Sequence, residues 1–205
     1  MSDYNLAQHS HTLDDYKYKE HILPQEAYDY FYKRTDNHIL MVQNNLYLWT
    51  MKYPRYFNEL NERASSHDMS KFREPEKTPY VWRTWKSYCN LNNISFQYPE
   101  GMEQQVRDAI FHHVTHNRHH PEWHPDPDEM TKIDLIEMVC DWKAMGQEFG
   151  EKSPMGWADR VLGRRFHFSQ YKCDLIRDLI REMDSLFEED KLYKEAIKKI
   201  TPSNK

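Results

Sequence analysis

Thr131-Lys132-Ile133-Asp134-Leu135-Ile136-Glu137-Met138-Val139-Cys140-Asp141-Trp142 is the stretch that decides the fold class. Thr131 followed three residues later by Asp134 resembles a capping box, in which the two side chains exchange hydrogen bonds with each other's backbone N–H groups. The pattern predicts a helix from Thr131 to about Phe149, with Gly150 as its C-terminal cap. The apolar neighbours Met138, Val139 and Cys140 predict that this helix is mostly buried. An unpartnered carboxylate there is costly, so Glu137 and Asp141, one turn apart on the same face, are expected to have partners.

Outward from this helix the chain keeps reading as helical. Pro24 suits the first turn of a helix running toward Arg34. Thr35 or Asp36 is placed to cap a second, from about Asn37 to Lys52, which Pro54 ends. Further helices are expected over roughly Phe57 to His67, Pro79 to Leu91 and Pro99 to Asn117. Ser153-Pro154 opens a short one ending near Gly163, and two more cover about Ser169 to Phe187 and Lys191 to Ile200. The expectation is an all-α protein of eight or nine helices: a loose N-terminal arm over 1–22 and one helical domain over 23–201.

The chain has 205 residues, enough for one domain with a sizeable core. Five glycines argue against a protein of many hairpins. A formal net charge of −5 makes general nucleic-acid binding a poor fit, because that needs a basic surface. No stretch approaches the ~20 apolar residues of a membrane span. Cys89, Cys140 and Cys173 have no paired spacing, which points away from disulfides and thiolate zinc sites and toward a reducing cytoplasm.

Histidine is the anomaly: there are 12, and six lie between His112 and His124. Histidine is the commonest metal ligand. His38 falls within a predicted helix, the doublet His67-Asp68 ends the next, and Asp141 sits inside the capped one. Two imidazoles and two carboxylates suit a divalent ion with coordination positions left for water and substrate. Between the doublet and Asp141, His113 shares a stripe with Ile110 and Val106, and His120 is fixed ahead of Pro121. These two are favoured as further ligands, with His116 and His119 as rivals. His112 and His116 share another face. Glu137 is either an acceptor orienting a ligand histidine or a general base.

The order His, His-Asp, Asp resembles the HD superfamily of metal-dependent hydrolases. The motifs HDMSKF, NRHHPEW and EMVCDWKAM together are similar to a family of uncharacterised HD-like proteins of bacteria and viruses. The resemblance implies an HD-like helical fold with His38, His67, Asp68 and Asp141 on a first metal ion, and His113 and His120 on a second. The ions, one or two, are iron, manganese, zinc, nickel or magnesium, which these donors do not tell apart. Lys71, three residues after Asp68, stands where several HD branches carry a Lys, and is expected to stabilise or protonate a departing oxygen. The activity implied is hydrolysis of a nucleotide or another small phosphorylated compound. A di-iron oxygenase and a non-catalytic ligand-binding module are the alternatives. The basic cluster Arg164, Arg165, His167 and Lys172 reads as a solvated turn, and Tyr80, Trp82, Trp85 and Tyr88 as core.

Overall fold

The computed structural model describes residues 23–200, and among them every named element is helical, without a named strand. Seven α-helices follow in order: α1 (Gln25–Lys52), α2 (Phe57–Ser66), α3 (Lys77–Leu91), α4 (Met102–His116), α5 (Lys132–Glu148), α6 (Met155–Val161) and α7 (Gln170–Ile200), with short 3₁₀ turns between some of them. The arm expected over 1–22 lies outside the described residues. None of the described helices is long and apolar enough to cross a membrane.

Seven helices rather than eight or nine reflect two fusions. Thr35 does not cap a second helix. Ala27, Phe31, Thr35, His38, Val42, Leu46 and Trp49 recur every three or four residues and are all buried, so Thr35 lies on the inner stripe of one 28-residue helix. Between Phe187 and Lys191 no Gly or Pro breaks the chain, and the last two expected helices form the single α7. Its inner stripe is Cys173, Ile176, Ile180 and Met183.

Contacts group the chain into two compact units. Of the described residues, the first takes 23–37 and Asp68–Asn117. Here α3 packs on α4, and the core holds Leu23, Phe31, Val81, Trp82, Trp85 and Val106. The aromatic series of α3 is thus core, as its spacing predicts. The second unit takes His38–His67 and residues from Arg118 onward. In it α5 packs on α2 and α7. Its core holds Leu46, Trp49, Leu60, Leu135, Ile136, Val139 and Ile176.

Helix α5 is buried on nearly every face, which places charged side chains inside the second unit and obliges each to find a partner. The capping box is present in both directions: Asp134 N–H donates to Thr131 Oγ1, and Thr131 N–H donates to Asp134 Oδ2 at 2.9 Å. Lys143 is fully buried and donates to Asp184 Oδ1 at 2.7 Å and to the Lys152 carbonyl. Gly150 takes φ +74° just beyond the helix, the left-handed cap conformation expected of it.

Candidate metal centre

In the second unit, three helices and one irregular segment bring four imidazoles and three acids to the N-terminal and central turns of α5. Asp134, Glu137 and Asp141 follow one another along α5 at intervals of about one turn. Asp134 is fully buried. Arg63 of α2 donates to its Oδ1 at 2.6 Å, and Arg118 donates to both its oxygens at 3.2 and 3.1 Å. Burial raises the Asp134 carboxyl, but the bonds from Arg118, Thr131 and Arg63 outweigh that and hold it well below the usual carboxylate range.

Arg63 also reaches Glu137, donating to Oε2 at 3.0 Å. The other oxygen of Glu137 faces two imidazoles. His67 Nδ1 lies at 2.9 Å and His119 Nδ1 at 3.4 Å from Oε1. Burial pushes the Glu137 carboxyl up, and its contacts with His119 and His67 more than offset this, holding it at about 2. An ionised carboxylate can only accept, so it places the proton of each ring on Nδ1 and leaves the lone pair on Nε2. Both imidazoles are buried.

His38, on α1, points its Nε2 at Asp141 Oδ1, 2.9 Å away, and His67 Nε2 is 3.8 Å from the same oxygen. Burial raises the Asp141 carboxyl, and His38, together with His119 and His67, more than offsets this, so it too stays ionised. The rings of His67 and His119 have centroids 4.4 Å apart, and those of His119 and His120 are 4.2 Å apart. His67, His119 and Glu137 each offer an atom within 4.8 Å of the others. This set of imidazole nitrogens and carboxylate oxygens suits a borderline divalent ion, and among the described residues no cysteine groups with these donors as a closed structural zinc site would require.

His67 ends α2, its N–H donating to the Arg63 carbonyl at 2.8 Å. Asp68 then takes φ +59°, a left-handed conformation uncommon outside glycine, and starts the turn Met69–Phe72. Such outliers cost of order 1–3 kcal/mol and cluster at functional sites.

Asp68 belongs to the first unit, which has its own buried cluster. Asp68 Oδ1 is 3.2 Å from His113 Nε2, and Oδ2 pairs with Lys71 Nζ. Lys71 Nζ also lies 5.4 Å from the centre of the Tyr80 ring. His113 Nδ1 meets Glu76 Oε2 at 2.9 Å, and His112 Nδ1 meets Glu76 Oε1 at 2.8 Å. Ser70 donates to Glu76 Oε2 at 2.9 Å. Glu76 is fully buried. Burial raises its carboxyl, while His113 and then His112 lower it further than that. Glu76 therefore does for His112 and His113 what Glu137 does for His67 and His119: one buried carboxylate fixes the proton of two rings on Nδ1.

The second unit therefore gathers His38, His67, Asp141 and Glu137 of the expected residues, and the first gathers Asp68, Lys71 and His113. His120 is half-buried beside His119. Of the two rivals, His119 is buried against Glu137, whereas His116 is exposed on the surface of α4. Both oxygens of Glu137 are taken up by Arg63 and imidazoles, the arrangement of an orienting acceptor rather than a base. In the basic cluster, Arg165 pairs with Glu122 at 3.3 Å and Lys172 donates to the Met130 carbonyl at 2.5 Å. Glu76 and Arg63 have no motif or period to mark them, Arg118 lies in the NRHHPEW motif without a role read for it, and Asp134 is legible as a cap but not as the partner of two guanidinium groups.

The family model described as "Family of unknown function (DUF5662)" matches residues 27–182, which includes all of these side chains. The chain belongs to that family. No curated protein and no solved structure matches it.

Proposed function

We propose that this member of the DUF5662 family is a metal-dependent phosphohydrolase of HD type, acting on a nucleotide or another small phosphorylated compound. The observation that carries the proposal is the arrangement around Glu137 and Asp141. Glu137 keeps the proton of His67 on Nδ1, so the Nε2 that faces Asp141 is available as a ligand nitrogen. His38 Nε2 donates to Asp141 Oδ1 at 2.9 Å, and that proton would yield its place between the two side chains to an ion. His38, His67 and Asp141 would hold a divalent ion, with His119 and His120 at its flank. Asp68, Lys71 and His113 enter on the sequence pattern alone: Asp68 completes the first ligand set, and His113 belongs with a second ion.

Bound there, a divalent ion supplies Lewis acidity toward water and toward a phosphoryl oxygen. The chain's own groups do the rest. Glu137 orients the imidazoles, Arg63 and Asp134 fix Glu137, and Lys71 delivers a proton or positive charge to the leaving oxygen.

The test is to load the purified chain with manganese, iron, zinc or magnesium and screen mononucleotides and small phosphate esters for phosphate release. The wild type is expected to bind metal and release phosphate, and His67→Ala to lose both. Equal metal content and activity in the two proteins rejects the assignment. Oxygen uptake by the iron-loaded chain without phosphate release would replace it with oxygenase chemistry.

A further inference from the structure

His112 and His116 lie one turn apart on α4 and take no part in the centre proposed above. His112 is half-buried and His116 is exposed. Their rings lie face to face, with centroids 3.8 Å apart and planes only 9° from parallel. In each ring Nδ1 meets groups that settle where the proton is. His112 Nδ1 meets Glu76 Oε1 at 2.8 Å, and Glu76 is ionised and fully buried. His116 Nδ1 meets the His112 carbonyl at 2.8 Å, and a carbonyl can only accept. Thr115 agrees with this assignment: its hydroxyl donates to the Phe111 carbonyl at 2.8 Å, so its oxygen is left to accept from His116 Nδ1 at 3.1 Å. Both neutral rings therefore carry the Nδ1 proton and keep a lone pair on Nε2.

We propose that His112 and His116 form a surface site for one divalent transition-metal ion, bound through both Nε2 atoms. Two histidines at i and i+4 on one helix face are spaced to share an ion. Two imidazoles select copper, nickel or zinc over magnesium or calcium, which require oxygen donors. The hydrogen bonds behind the rings hold them in the ligating tautomer, as outer partners do in established metal sites. Asp108, one turn before His112 on the same side of α4, adds a negative charge; its Oδ1 accepts from Gln104 at 2.7 Å. His167 is exposed but has Gly163 and Tyr171 four residues to either side, so it offers a single-histidine control.

An ion immobilised on a resin reaches exposed histidines and not buried ones, which separates this site from the proposed hydrolytic centre. The experiment uses the full chain without a purification tag. His9, His11 and His21, outside the described residues, are replaced by Ala in every sample. On immobilised Ni²⁺ this parent is expected to be retained and to elute with imidazole. His116→Ala and His112→Ala run through, and His167→Ala behaves as the parent. In solution the parent binds Cu²⁺ on the order of 100-fold more tightly than His116→Ala, the gain from the second tethered ligand. Its copper spectrum shows two coupled imidazole nitrogens where the variant shows one. A parent that is not retained, or a His116→Ala variant that matches it on the resin and in solution, overturns the proposal. Because His116 is exposed, unchanged melting of that variant verifies its fold. His67→Ala, which disables the hydrolytic centre, leaves retention unchanged.

Discussion

Replacing Glu137 by Gln keeps the shape of the side chain and removes its charge. An amide has one accepting oxygen and one donating nitrogen. With the oxygen toward His67, the NH₂ group faces Arg63 Nη1, donor against donor. With the oxygen toward Arg63, the NH₂ faces His67 Nδ1 and drives the ring proton to Nε2, the nitrogen that faces Asp141. Either orientation leaves one buried group mismatched. A carboxyl held at about 2 instead of its ordinary 4.5 corresponds to about 3 kcal/mol of stability at neutral pH. Breaking a buried ion pair from one side typically costs about 3–5 kcal/mol, which agrees. Because the folded carboxyl is depressed, its contribution is complete above the unfolded value of 4.5 and is lost as pH falls through about 2. Urea unfolding with chelator present should therefore show a gap of about 3 kcal/mol between wild type and Glu137→Gln at pH 7, closing toward pH 2. With metal present, the variant should also bind the ion about 10–100-fold more weakly. A gap below about 1 kcal/mol at pH 7, or one that does not narrow in acid, would refute the role given to Glu137.

Thr131→Ala removes one half of the capping box and should cost about 1 kcal/mol in urea unfolding. Asp184→Ala leaves the buried Lys143 ammonium without its counter-charge, with the Lys152 carbonyl and the Phe187 ring at 4.7 Å as neighbours, and should destabilise by about 3 kcal/mol; Lys143→Met, which removes the charge itself, should cost less. Burial pushes the Cys89 thiol up to about 12 and raises those of Cys140 and Cys173. A thiol reagent at pH 8 should leave all three unmodified in the native chain and label them on denaturation.

What could be read from the residues was what depends on near neighbours. The capping box at Thr131, the glycine cap at Gly150 and the burial of His113 follow from local hydrogen bonding or a helical period, and each is present. Thr35 misled because its preference for capping competes with the burial of an apolar stripe, and in a long helix the stripe prevails. His120 is favoured over His119 in the sequence for its place ahead of Pro121, yet both lie beyond the end of α4, where no period says which side chain turns inward, and His119 is the more deeply buried of the two. Glu76 lies just ahead of α3, and its partners are 6, 36 and 37 residues away in sequence. Arg63 meets Glu137 and Asp134 across 74 and 71 residues. Pairings at such separations are fixed by tertiary packing, which no short motif records.

The central claim is that His38, His67 and Asp141 share a cation. It is tested most directly by an anomalous-scattering map of crystals grown with manganese or zinc. The account predicts a peak within about 2.0–2.2 Å of Nε2 of His38, Nε2 of His67 and an oxygen of Asp141. A map without density at that position, with His38 still bonded to Asp141, would contradict it.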